Sequence, residues 1–410
     1  MSFDLERCRD LDATDLLADV RERFVLPANG VYLAGNSLGP RPVAAAARVA
    51  DAVEQQWGLG LVRSWGAGWF DLPVSVGAKL AAVLGAPAED VVVTDTISIN
   101  LFKVVAALRG LRPDRPRVLV ERGAFPTDRY VIASAAGSDN VVDLASPSEM
   151  AATLAADPTI GVVALNHVDY VSSARWDVAA TTRMIHDADA LAVWDLAHSA
   201  GAMDLDLTAW GVDAAVGCTY KYLNGGPGAP GFIYVRADHA PLLANPLPGW
   251  WGHDAPFAMQ PDYQPAAGVR RFLCGTQPVL SMVALDAALD AVADVDWAEV
   301  RAKSLRLTSI FAAAVDGVAA KHGIAVTGPR DPQQRGSHVT VDFAHAHELV
   351  QALAVRGVIG DFRPPTFARF GFNALYASHV DAWTAGQQLT EVITTGEWRE
   401  PRFAVRGAVT

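Results

Sequence analysis

The chain has 410 residues, 51% hydrophobic and 19% charged, with a formal net charge of −12. That length and apolar content suit a large core split between two domains, and the acidic balance points to a small-molecule ligand rather than nucleic acid or an anionic membrane, either of which demands a basic face. No apolar run reaches the roughly 20 residues that span a bilayer, MSFDLERCRD is too charged for a signal peptide, and Cys8, Cys218 and Cys274 form no CxxC pair, so a cytoplasmic protein with reduced thiols is expected.

In chain order, VYLAGNSLGPRP (31–42) ends in turn signals, and VAAAARVADAVEQQW follows as a helix with Pro42 suited to its first turn. From about residue 90 short β-branched runs alternate with alanine-rich, helix-period stretches. The runs are VVVTD, RVLVE, NVVDL, GVVALN, LAVWD, DAAVGCTY and GFIYV; INLFKVVAALRG and AATTRMIHDADA are typical of the stretches between. Such alternation predicts an α/β domain whose mostly parallel sheet is covered on both faces. From about residue 295 a long helix, the alternating strand SHVTVDF and further helix predict a smaller α+β domain. The expected division is 1–50, an N-terminal segment packing on the small domain; 51–294, the large domain; and 295–410, the small one.

Within YKYLNGGPGAPGFIYV (220–235), Gly226 to Gly231 spell GxGxxG. A dinucleotide loop needs a strand before it and a helix after it; here a strand follows, so the glycines read as a turn that brings the chain back as GFIYV. The lysine before them carries more. Only five of the 33 basic residues are lysines (Lys79, Lys103, Lys221, Lys303, Lys321), and only a lysine has an amine that can lose its proton and attack a carbonyl. Lys221 closes one predicted strand region, and Asp195 with His198 closes another, at the strand ends where open α/β sheets bind ligands. VVVTDTISINLF sets Thr96 and Ser98 at a helix start with free backbone N–H groups for a phosphate. Singly, these are ordinary capping, turn or surface residues. Together they suggest pyridoxal phosphate, with Lys221 as Schiff-base lysine and Asp195 paired to the pyridinium nitrogen. HAHE (His345, His347, Glu348) matches no zinc spacing and reads as a polar turn; no metal is expected.

DLAHSAG followed by LTAWGVDAAVGCTYKYLNGGPG resembles the cofactor region of the kynureninase family, of bacterial type, within the aminotransferase class V group of fold-type I pyridoxal phosphate enzymes. LAGNSLGPRP, RSWGAGWFDLP, FPTD, GWWGH, FLCGTQPVLS, RGSHV and RGVIGDFRPPTFARFGFNALY extend the resemblance over nearly the whole chain. It implies that Ile97 and Ser98 contact the phosphate, Phe125 stacks on the ring with Asp128 beside it, and His198 lies near the cofactor. Tyr220 and Trp250 would complete the phosphate cradle, with Thr276 reaching it from the partner subunit of a homodimer. Arg369 would clamp the substrate α-carboxylate near Asn36 and Ser37. Trp65, Gly275 and Thr276 would surround the aryl ring of an unhydroxylated kynurenine. Asn166 stands where relatives usually have Ser or Thr, and Val171, Ser172 and Ser173 depart from their usual pattern.

The implied reaction is hydrolytic cleavage of the Cβ–Cγ bond of L-kynurenine to anthranilate and L-alanine. Lys221 would be the general base, and Tyr220, its phenol pKa lowered by the phosphate, a later proton donor and acceptor. A 3-hydroxykynurenine or modified-kynurenine substrate is the nearest alternative. An aminotransferase is another, and a desulfurase is disfavoured because no cysteine follows Cys274.

Overall fold

The computed structural model describes residues 3–407. Its first elements are α1 (Leu5–Ala13), the short strand β1 (Val31–Tyr32), α2 (Ala45–Asp51) and α3 (Leu72–Leu84). Then β2 (Val91–Thr94) leads into α4 (Ile97–Arg109), β3 (Arg117–Glu121) into α5 (Pro126–Ala136), and β4 (Val141–Leu144) into α6 (Met150–Ala156). β5 (Ile160–Asn166), α7 (Val178–Asp187), β6 (Leu191–Asp195), β7 (Ala214–Cys218) and β8 (Gly231–Val235) complete the alternating region. After α8 (Val279–Asp290) and α9 (Trp297–His322) come β9 (Ala325–Thr327), β10 (His338–Asp342) and α10 (Ala346–Val355). The strands β11 (Val358–Ile359), β12 (Asp361–Arg363) and β13 (Phe367–Gly371) precede α11 (His379–Thr395).

Seven strands form the main sheet in the order β2-β8-β7-β6-β5-β3-β4. The pairs β3–β4, β3–β5, β5–β6 and β6–β7 are parallel, while β8 runs antiparallel to both β7 and β2. Strands β2, β5, β6, β7 and β8 are buried at every position, as unalternating apolar runs require when helices cover both faces. Successive residues feed opposite cores: Val163, Leu165, Ala192 and Trp194 pack on one side, Val162, Ala164, Leu191 and Val193 on the other.

A third core joins the two ends of the chain. Cys8, Val20, Phe24 and Leu33 pack with Leu307, Phe311, Val339 and Leu389, and β1 pairs in parallel with β11. A four-stranded antiparallel sheet, β12-β13-β10-β9, lies in this part. We propose the division 1–50, 51–294 and 295–410 on this packing.

Two local expectations are corrected. Pro42 does not open a helix: it bridges Phe24 while Val43 N donates to Arg23 O, and the helix begins at Ala45. Beyond Asp51 the helix widens into a π-helical stretch, Ala52–Gly60. The run Trp65–Leu84 is long and apolar enough by composition to cross a membrane. It is interrupted by Gly68 at φ 140°, and Val76, Leu80 and Leu84 of its second part are buried in the core.

Candidate active site

Because β3, β5, β6 and β7 are parallel neighbours, the residues that follow their carboxyl ends converge on one edge of the sheet. The loop after β3 delivers Phe125 and, in the first turn of α5, Asp128. Asn166 ends β5, Asp195 ends β6 directly opposite it in register, and Tyr220 and Lys221 follow β7 by two and three residues. Ile97 and Ser98 open α4, where the Thr96 hydroxyl caps the helix by accepting from Ile99 N. The N–H groups of Ile97 and Ser98 thus lie in a first turn that has no intrahelical acceptors for them.

The Lys221 amine lies 3.1 Å from His198 Nε2. Burial, and then the Lys221 charge, hold His198 well below the ordinary histidine range, so its neutral ring accepts from the amine. Among the described residues no carboxylate forms an ion pair with Lys221. Asp195 Oδ1 accepts from Ala197 N at 2.7 Å, and Asp195 Oδ2 accepts from Asn166 Nδ2 at 2.6 Å. The same nitrogen donates to Asp128 Oδ2 at 2.7 Å. Burial and the Asp195 charge push the Asp128 carboxyl well above the usual carboxylate range.

Tyr220 overturns one expectation. Burial first, then Cys218 and the Asp195 carboxylate, raise its phenol pKa rather than lower it. A phosphate dianion would act in the same direction, because negative neighbours disfavour phenolate. The group is a proton donor at neutral pH.

Arg369 is buried and already committed. Its Nε and Nη2 donate to the two oxygens of Asp361 at 2.8 and 2.6 Å, and its Nη1 donates to Tyr170 O at 2.7 Å. Ser37 Oγ donates to Asp361 and accepts from Arg363 Nη2 at 3.1 Å. Arg363 shares the Asp361 carboxylate at 3.0 Å and is the more exposed guanidinium, at 36% against 2%. The sequence reading passed over both Asp361 and Arg363, although GDFR flagged the stretch. Asn36 is fully buried, and its side-chain amide makes no hydrogen bond among the described residues.

Phe125 is exposed, edge-on to Tyr170 at 5.2 Å. Trp65 and Thr276 line an open cleft of about 400 Å³ together with Trp57 and Trp69, and none of Lys221, Asp195 and Arg369 lines it. Gly275 and Thr276 are exposed; Trp250, beside Trp251, is exposed as well. The HAHE rings are used in packing, His345 stacked on Trp398 at 4.4 Å and His347 edge-on to Phe362.

Residues 300–389 match the family model described as the kynureninase C-terminal domain. The chain is 46% identical to a kynureninase of Burkholderia mallei, covering 99% of both chains, and 45% identical to one of Pseudomonas fluorescens over 98% of this chain and 99% of that one. The chain belongs to the kynureninase family. Among solved structures, this kynureninase-family chain is similar in fold to a cysteine desulfurase of Thermococcus onnurineus, with TM-score 0.76, 17% identity, and 92% of this chain and 98% of that one covered. A cysteine desulfurase of Escherichia coli gives TM-score 0.75 and 20% identity over the same shares. The fold expected from the resemblance, fold-type I, is the one found.

Proposed function

We propose that the chain cleaves the Cβ–Cγ bond of L-kynurenine hydrolytically to anthranilate and L-alanine, with pyridoxal phosphate held at the edge of the main sheet. The relatives named kynureninase over almost the full length support the reaction. A structural neighbour, a cystine C–S lyase variant of 17% identity, carries glycine covalently linked to its pyridoxal phosphate. The observation that carries the reading is the Lys221 amine against a neutral His198, unpaired with any carboxylate among the described residues, beside the strand-end acid Asp195.

The donor set fits this cofactor. Gly231 leaves space at the start of α4, since a Cβ there would stand 2.8 Å from Ile97 N. The first-turn N–H groups of α4 and Ser98 suit a phosphate, with Tyr220, Trp250 and Thr276 of the partner subunit completing the cradle. Phe125 would stack on the ring, with Asp128 and His198 beside it. Asp195 would hold a proton on the ring nitrogen through a charge-assisted hydrogen bond worth on the order of 1.5–3 kcal/mol. Bound there, pyridoxal phosphate supplies an electron sink for charge developing at the substrate Cα. Lys221 would anchor it and would take the substrate Cα proton as general base. Water would add to the substrate's Cγ carbonyl, and as the Cβ–Cγ bond breaks to release anthranilate Tyr220 would donate the proton that Cβ takes up. Arg369, near Asn36 and Ser37, grips the substrate α-carboxylate, which requires it to yield part of its fork from Asp361.

That Trp65 and Thr276 line an open cleft which Lys221 does not line supports a homodimer whose sites combine both subunits, in a cytoplasmic enzyme. A desulfurase reading lacks its nucleophile: Cys8 and Cys218 are buried, and Cys274 Sγ donates to Leu247 O at 2.8 Å.

The test is direct. Purified protein is expected to be yellow, to trap the cofactor on Lys221 with borohydride, and to release fluorescent anthranilate and alanine from L-kynurenine faster than it cleaves 3-hydroxykynurenine. A colourless protein that takes up no pyridoxal phosphate overturns the reading; the reverse substrate preference overturns the assignment of Trp65, Gly275 and Thr276.

A further inference from the structure

The edge of the main sheet holds two acids where one is enough for a ring nitrogen. Asp128 and Asp195 are 6% and 8% exposed, and burial and then the Asp195 charge raise the Asp128 pKa. Behind them the wall is apolar, formed by Leu101, Val120, Ile132, Ala164, Leu165 and Val193. Two buried carboxylates in such a setting repel strongly unless a donor lies between them. One atom does: Asn166 Nδ2, 2.7 Å from Asp128 Oδ2 and 2.6 Å from Asp195 Oδ2.

A primary amide suits this position because its nitrogen carries two hydrogens, one for each acid. The opposite orientation of the amide would aim an acceptor at carboxylate oxygens. A serine or threonine hydroxyl, with one hydrogen, satisfies only one of the two acids. Position 166 is the last residue of β5, in register with Asp195 on β6, so the backbone fixes where the amide begins and the pair of acids fixes where it ends.

We propose that Asn166 is a positioning residue that ties Asp128 and Asp195 into one unit and so aims the Asp195 carboxylate at the cofactor's ring nitrogen. The proposal rests on the reading of Asp195 given above. In this arrangement the amide offsets the repulsion between the two acids; burial and that repulsion together push the Asp128 carboxyl above the usual carboxylate range. The departure from the relatives' usual Ser or Thr is then a second donor rather than a lost contact.

The experiment is titration of the apoprotein with pyridoxal phosphate, followed by quenching of tryptophan fluorescence. Asn166→Leu keeps the branching of the side chain and removes both donors, and it is expected to weaken cofactor binding about tenfold or more. Asn166→Thr, with one donor, is expected to fall between Asn166→Leu and wild type. The decisive variant is the double substitution Asn166→Leu with Asp128→Asn, which removes the repulsion the lost amide leaves behind; its affinity is expected to return most of the way to wild type. Unchanged binding in Asn166→Leu overturns the proposal, as does a double variant that binds no better than Asn166→Leu. Should Asn166→Leu not fold, Asn166→Thr alone against Asn166→Thr with Asp128→Asn makes the same comparison. A wild-type apoprotein that fails to bind pyridoxal phosphate overturns the proposed function instead, which keeps the two failures distinct.

Discussion

A lysine serves as a cation or as a nucleophile, and the lysines of this chain divide along that line. Lys103 is buried against Asp95 at 2.5 Å and Phe272 O at 2.7 Å, Lys303 is buried against Asp15 at 2.6 Å, and Lys79 spans Asp286 and Asp290. Lys221 meets a neutral imidazole instead. If its amine is the attachment point, a cation that cannot lose its proton will not replace it. Lys221→Arg is therefore expected to keep the charge and the fold while lowering kcat/KM by about a thousandfold or more, with no borohydride trapping; removing a nucleophile from a catalytic unit has effects of that order. Retained trapping in Lys221→Arg would place the attachment elsewhere. Lys221 and Asp195 stand out in the sequence because one follows and the other ends an apolar strand, in a chain that rarely uses lysine. Asn166 was legible only as a departure, since its value lies in two acids brought beside it from α5 and β6. Tyr220 was misread for a related reason: the sign of its shift depends on Cys218 and Asp195, which only the fold sets around it.

At the scale of elements, the proposed phosphate seat depends on how closely β8 approaches α4. A Cβ at Gly231 would stand 2.8 Å from Ile97 N, 2.9 Å from Asn100 Nδ2 and 2.9 Å from Gly217 O, all of them atoms of the α4 start or of the neighbouring strand. Gly231→Ala is expected to push the first turn of α4 away, destabilising the fold by about 1–3 kcal/mol in urea unfolding. It should also weaken pyridoxal phosphate binding to the apoprotein several-fold. Unaltered affinity in a folded Gly231→Ala would separate the phosphate from this helix start. The strands themselves were plain in the sequence as uninterrupted apolar runs, and the long helix α9 begins within two residues of its expected start. The neighbours of β8 were not, because five buried apolar residues read alike in either direction. Its antiparallel course follows from residues 219–230, a return held by Gly225 N on Thr219 O and by Gly226 and Gly228 at φ 92° and 73°, with no helix to carry a parallel crossover. The π-helical stretch after Asp51 was read as ordinary helix, since alanine-rich periodicity does not distinguish the two.

Across the whole molecule, the residues of the proposed site fall into two groups within one chain. Asp195 and Arg369 are buried and Lys221 is half-buried, whereas Trp65 and Thr276 line an open cleft bordered by the exposed Trp57. Leu59, Leu61 and Val62, which follow Trp57, and Phe257 and Met259, which follow Trp250, are more than half exposed. Apolar side chains in that number suit burial against a second copy. In a symmetric dimer each site would take Lys221 from one subunit and Thr276 from the other, and this has a consequence that a self-contained site does not share. Lys221→Arg homodimers would be inactive. Thr276→Glu homodimers would bind the cofactor poorly, because the new carboxylate faces the phosphate. In a mixed dimer one site collects both lesions and the other none. Equal amounts of the two variants, mixed under conditions that exchange subunits, are expected to recover about a quarter of wild-type activity, since half the dimers are mixed and each carries one intact site. The measurement is anthranilate fluorescence before and after exchange, with sedimentation confirming a particle of twice 43.5 kDa. A site built within one chain would gain no activity on mixing.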